Sequence, residues 1–69
     1  MGVTMVKVAP GQERFVYSSL KIRDEILDIY HVFGEYDFIA MLQAEDIIKL
    51  NQFMERIQEM HGVVLLGPY

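Results

Sequence analysis

One short run concentrates groups that could do chemistry: Gly34-Glu35-Tyr36-Asp37, with His31 three residues before it. It brings together a backbone-permissive glycine, two carboxylates, a phenol and an imidazole. Two kinds of chemistry fit such a set. A carboxylate beside a histidine is a general acid–base pair. A carboxylate beside exposed loop backbone is a receptor for a small polar ligand. The spacing speaks against the first. In a hairpin turning at Gly34-Glu35 the register puts His31 and Asp37 on opposite faces of the sheet, so only His31 with Glu35, through the loop, remains as a dyad. A histidine partly buried and bonded to backbone is the plainer reading of His31. Asp37 equally fits an acid that caps a turn or pairs with a base, and Tyr36 a core phenol whose hydroxyl reaches water.

The rest of the chain adds no competing site. There is no cysteine, which excludes disulfides and thiolate metal centres. The second histidine, His61, precedes Gly62 at the end of a helical pattern, and two distant histidines with scattered acids do not make a metal site. Pro10-Gly11-Gln12 is too short to be a phosphate-binding loop. No catalytic residue, metal or cofactor is expected. Ten acids face six bases, giving a net charge of −4, and the bases form no cluster. Direct nucleic-acid binding needs a basic footprint and is not expected. No apolar run reaches the length of a bilayer span, and the N-terminus lacks the charged region and cleavage site of a secretion signal. The expectation is a cytoplasmic protein with no membrane partner.

The elements that position the loop follow from hydrophobic periodicity. Ile26 to Ala44 reads as a β-hairpin turning at Gly34-Glu35, where glycine first in a two-residue loop suits a type II′ turn. In that register Phe33 faces Tyr36, His31 faces Phe38 and Ile29 faces Ala40. Leu27, Ile29, His31, Phe33, Tyr36, Phe38, Ala40 and Leu42 then share the core face. Ile26, Asp28, Tyr30, Val32, Asp37, Ile39, Met41 and Gln43 share the other.

Val3 to Val8 is a strand apolar on both parities, hence central, and Pro10-Gly11 ends it. Gly11 to Ile22 is a helix with a stripe of Phe15, Val16, Ser19 and Leu20. A second helix opens with Glu45-Asp46 and carries Ile47, Leu50, Phe53, Met54, Ile57 and Met60. Glu45 and Lys49 stand at the favourable i,i+4 spacing, and Gly62 sits where a helix closes. Val63 to Leu66 is a last strand.

The order β-α-β-β-α-β predicts a single domain over residues 1–69 of the α+β class, a ferredoxin-like sandwich with a four-stranded antiparallel sheet and two helices on one face. The uncovered sheet face mixes Ile, Val, Met and Tyr with polar groups, and the chain is 52% hydrophobic over only 69 residues. A domain of this size gains from self-association, so a sheet-to-sheet dimer is expected.

The element order, the phrase Val-Phe-Gly-Glu-Tyr-Asp-Phe-Ile-Ala and the following Ala-Glu-Asp-Ile-Ile-Lys-Leu-Asn-Gln-Phe resemble the C-terminal effector domain of the Lrp/AsnC transcription regulators, also called the RAM domain. The resemblance runs from Val3 to about Val64, and its most specific part is Gly34, Tyr36 and Asp37. It implies a stand-alone RAM domain without the DNA-binding part, and a dimer that assembles into octamer or decamer rings. It also implies an amino acid effector bound between dimers at Gly34, Glu35, Tyr36 and Asp37, and co-assembly with full-length Lrp/AsnC regulators. The alternatives are a small dimeric α+β barrel enzyme with monooxygenase- or isomerase-like chemistry, which would turn on His31, or a structural oligomer whose ligand site is lost.

Overall fold

The computed structural model describes residues 2–67. Six elements follow in the expected order: β1 (Gly2–Val8), α1 (Glu13–Lys21), β2 (Ile26–His31), β3 (Phe38–Leu42), α2 (Ile47–Gln58) and β4 (Val63–Gly67). The sheet runs β2-β3-β1-β4 with every neighbour antiparallel, the ferredoxin-like arrangement. β1 is central, as its two apolar parities require.

Alternation along β1 sorts the two faces. Thr4, Val6 and Val8 are buried with Phe38, Ala40, Leu42 and Ile29, under Val16 and Leu20 of α1 and Phe53 and Ile57 of α2. Thr4 is the buried polar group among them, and its hydroxyl donates to the Gly67 carbonyl at 3.1 Å, which makes its burial tolerable. Val3, Met5, Ile39, Met41, Asp28 and Tyr30 share the opposite, uncovered face through their cross-strand pairing.

α2 has a side-chain cap at its start, which α1 lacks. Asp46 stands just outside α2 rather than in its first turn, and its carboxylate accepts from the Lys49 N–H at 2.8 Å, an N-cap. Glu45 and Lys49 pair at 3.1 Å. Gly62 takes φ +91°, and a Cβ there would stand 2.8 Å from Val16 Cγ2, so glycine is required by backbone and by space.

Several expected placements are corrected. β2 carries a bulge: Ile26 pairs with Leu42 but Asp28 with Met41, leaving Leu27 as the extra residue. Parity therefore flips below Asp28, so Ile26 packs on the core and Leu27 is exposed. Phe15 is half-exposed, edge-on to His61 at 5.5 Å, since Val16 and Leu20 already fill the space under α1. Ile47 and Ile48 project into solvent at 66% exposure each, and the inward stripe of α2 starts at Leu50. A second bulge falls in β4, where Val64 is unpaired between Val63 opposite Val8 and Leu65 opposite Lys7.

Candidate functional site

The hairpin register is the expected one, with Ile29 opposite Ala40 and His31 opposite Phe38. The turn is wider. Regular strand stops at His31 and resumes at Phe38, with one further rung from the Val32 N–H to the Asp37 carbonyl at 3.0 Å. The expected Phe33–Tyr36 pair is replaced by a loop. Gly34 has φ +113°, a value glycine adopts cheaply and other residues do not.

The loop residues part rather than pair across the turn. Phe33 points into solvent and is fully exposed, so it is not a core residue. Tyr36 is not on the helix-covered face either. Its ring tip fills the space a side chain at Gly67 would occupy, 2.6 Å from an ideal Cβ, and Gly67 pairs with Met5 on the uncovered side. Tyr36 therefore leans across to β4.

Asp37 faces β1. Its N–H donates to the Val6 carbonyl at 2.8 Å, and its Oδ2 accepts the Val8 N–H at 2.8 Å. That amide faces the hairpin beyond the last regular β1–β3 pair, Val6 with Phe38, so the carboxylate satisfies a backbone donor that the end of the ladder would leave open. Lys7 Nζ donates to the Glu35 carbonyl at 3.2 Å and ties the loop down from the same strand. Gly34, Glu35, Tyr36 and Asp37 are thus brought together beside β1 and β4. The Glu35 carbonyl and Asp37 Oδ2 are engaged by β1, while Asp37 Oδ1 carries no side-chain hydrogen bond among the described residues.

His31 takes no part. It is exposed, and its ring lies against Phe38 at 4.9 Å and Tyr17 at 5.6 Å. It belongs to the rim of the helix-covered face, apart from Asp37, and its contacts are aromatic rather than a bond to backbone. Among the described residues no three His, Asp or Glu side chains converge for a metal, and no helix is long and apolar enough to cross a membrane.

Two features escaped the sequence reading. On the uncovered face the Tyr30 hydroxyl donates to Asp28 Oδ2 at 2.7 Å, and the Ile29 N–H donates to Asp28 Oδ1 at 2.8 Å. The Tyr30 bond foremost holds the Asp28 carboxyl below its ordinary range, and the same bond raises the Tyr30 phenol. Two polar residues at i,i+2 in a strand were the signal for that pair. The second feature is a cleft of about 520 Å³ at the other end of the hairpin, between Asp24-Glu25, Gln43 to Glu45 and the Lys49–Arg56 flank of α2. Only the Glu45–Lys49 spacing pointed to it.

With this geometry in view, the comparisons with known proteins are consistent. The crystal structure of FFRP-DM1 superimposes with a TM-score of 0.90 at 30% identity, over 96% of this chain and 89% of that one. The crystal structure of hypothetical protein PHS023 from Pyrococcus horikoshii gives 0.85 at 30% identity, over 96% and 81%. TTHA0845 from Thermus thermophilus, at 17% identity and a TM-score of 0.86 over 94% of this chain and 82% of that one, shares the fold. Among curated proteins, the HTH-type transcriptional regulator FL11 of Pyrococcus horikoshii is 32% identical over 59 residues, and that of Pyrococcus abyssi 30% over 59. Each match covers 86% of this chain but 39% of the regulator, so the chain spans about two fifths of their length. The Lrp/AsnC ligand binding domain matches residues 2–65, and the chain belongs to that family.

Proposed function

We propose that the chain is a non-enzymatic sensing and oligomerising module, which binds a small amino acid effector and modulates Lrp/AsnC regulators of amino acid metabolism by assembling with them. The observation that carries this reading is the ligand-binding-domain match over residues 2–65, aligned with a part only of helix-turn-helix regulators. In this reading two copies join through the uncovered sheet faces, and dimers associate further into rings. The effector lies beside the loop of Gly34, Glu35, Tyr36 and Asp37, where its ammonium meets Asp37 Oδ1 or Glu35 and its carboxylate meets loop backbone. The fully exposed Phe33 beside Gly34 supports a loop that is covered on assembly. A barrel enzyme would need space between helices and sheet, and Phe38, Leu42 and Phe53 fill that space.

Calorimetric titration with each of the twenty amino acids is expected to give saturable heat for one or a few, with a rise in Tm. No heat and no shift for any of them would leave only the assembling role. Light scattering is expected to report a dimer or larger, and a stable monomer would remove the assembling role as well.

A further inference from the structure

We infer that the Gln58 side chain guards the open edge of the sheet at β4, where it takes the hydrogen bonds that a strand of a second copy would otherwise make. The inference concerns how copies are kept from joining edge to edge and does not rest on the effector reading. β4 is the last strand in the order β2-β3-β1-β4, so one of its sides has no strand neighbour among the described residues. An open edge of this kind is a template for another chain. The run Val63-Val64-Leu65-Leu66 bears no charge, and Val64 and Leu65 are half-exposed. The strand's own side chains therefore do nothing to deter pairing.

Backbone alternation identifies the open groups. The Val6 carbonyl accepts the Asp37 N–H at 2.8 Å, so Val6 turns its polar groups toward the hairpin, and Met5 and Lys7 turn theirs toward β4. Their partners Gly67 and Leu65 are thereby bonded to β1, and Leu66 between them faces outward. Gln58, the last residue of α2, reaches this edge with both ends of its amide. Its Oε1 accepts the Leu66 N–H at 3.2 Å, and its Nε2 donates to the Val64 carbonyl at 3.4 Å. One amide that meets a carbonyl and the N–H two residues further on does what a peptide group of an added strand does.

The opposite edge, at β2, is closed by the same kind of device. The Val32 N–H bonds across to the Asp37 carbonyl, so by alternation Ile29 turns its N–H away from β3. Asp28 Oδ1 accepts that N–H at 2.8 Å, and a carboxylate on an edge also repels a second strand carrying its own. β2 has its bulge at Leu27 and β4 has its bulge at Val64, and a bulge breaks the continuity of an edge. Each edge is thus shut by one side chain beside one bulge. That leaves the uncovered face, rather than an edge, for a second copy.

The test compares Gln58→Ala and Gln58→Glu with the wild-type chain, by light scattering over a range of concentrations and by amide exchange of the ¹⁵N-labelled protein. Alanine suits a helix at least as well as glutamine, so the first variant removes the guard and keeps α2. Its mass is expected to exceed the wild-type mass at equal concentration and to grow with concentration, whatever the wild-type state. The Leu66 amide is expected to exchange roughly fivefold faster or more in dilute solution, the effect of one lost hydrogen bond. It should slow again as concentration rises and a second strand takes the bond. Gln58→Glu keeps an acceptor for Leu66 and adds a charge to the edge, so it should hold the wild-type mass. An unchanged mass or an unchanged Leu66 exchange rate in Gln58→Ala would overturn the inference. So would equal growth in both variants, or growth accompanied by loss of the dispersed native spectrum, which would assign it to unfolding.

Discussion

Asp37 is the residue at which the functional and structural readings meet. One oxygen is committed to the Val8 N–H, so a ligand ammonium at this carboxylate must share it with the backbone. A hydrogen bond to a charged group contributes about 1.5–3 kcal/mol, and this one is only partly buried. Asp37→Ala should therefore cost about 1–2 kcal/mol in urea unfolding. Asp37→Asn, which keeps an acceptor oxygen, should cost less. A loss in the alanine variant too small to measure would mean that the bond does nothing for β1. Asp28 is a second residue whose titration can be read. Its folded carboxyl lies below the ordinary range because Tyr30 donates to it, so its contribution to stability is present above about pH 4 and is lost as pH falls through the lower folded value. Tyr30→Phe should raise the Asp28 midpoint in an NMR titration, and the wild-type advantage should shrink below about pH 4. An unmoved midpoint would assign the depression to the Ile29 N–H instead.

The elements were largely legible in the residues, and the departures fall where alternation breaks or a contact is long-range. Periodicity located all six elements and the hairpin register, because Ile29, Phe38, Ala40 and Leu42 alternate cleanly. It misplaced Leu27 and Ile26 because a bulge shifts parity by one residue without leaving a mark in composition. It placed Phe33 and Tyr36 in the core because alternation was carried through a loop in which it no longer holds. The Tyr36 contact with β4 is long-range, and nothing local announces it. Of the candidate site, Gly34 was readable as a turn residue, while the bond of Asp37 to the Val8 N–H depends on where β3 stops pairing with β1. Gly67 tests this contact between elements. An alanine Cβ would stand 2.6 Å from the Tyr36 ring, so Gly67→Ala should drive the ring out and cost about 1–3 kcal/mol. Combining it with Tyr36→Ala should remove most of that penalty. Strict additivity of the two losses in thermal unfolding would mean that they do not touch.

At the scale of the whole molecule, one sheet face is packed and the other bears Val3, Met5, Ile39 and Met41 with Tyr30 and Asp28. A chain of 69 residues buries only about 60% of the surface its unfolded form exposes, and apolar side chains on an uncovered face add to that deficit. A second copy covering this face relieves both. Ile39 lies at its centre, flanked by Met5 on one side and Tyr30 on the other, so a charge there faces its own copy across any two-fold sheet contact. Ile39→Lys leaves the core untouched, since the side chain points away from Phe38 and Ala40. It should abolish association in light scattering, with the mass falling to the 8.0 kDa of one chain. In the wild type Tm should rise with protein concentration, as for any fold stabilised by its partner, and in the variant it should be lower and independent of concentration. A variant that keeps the wild-type mass would move the interface to another surface, with the Phe33 loop and the exposed Ile47-Ile48 pair as the next apolar patches to charge.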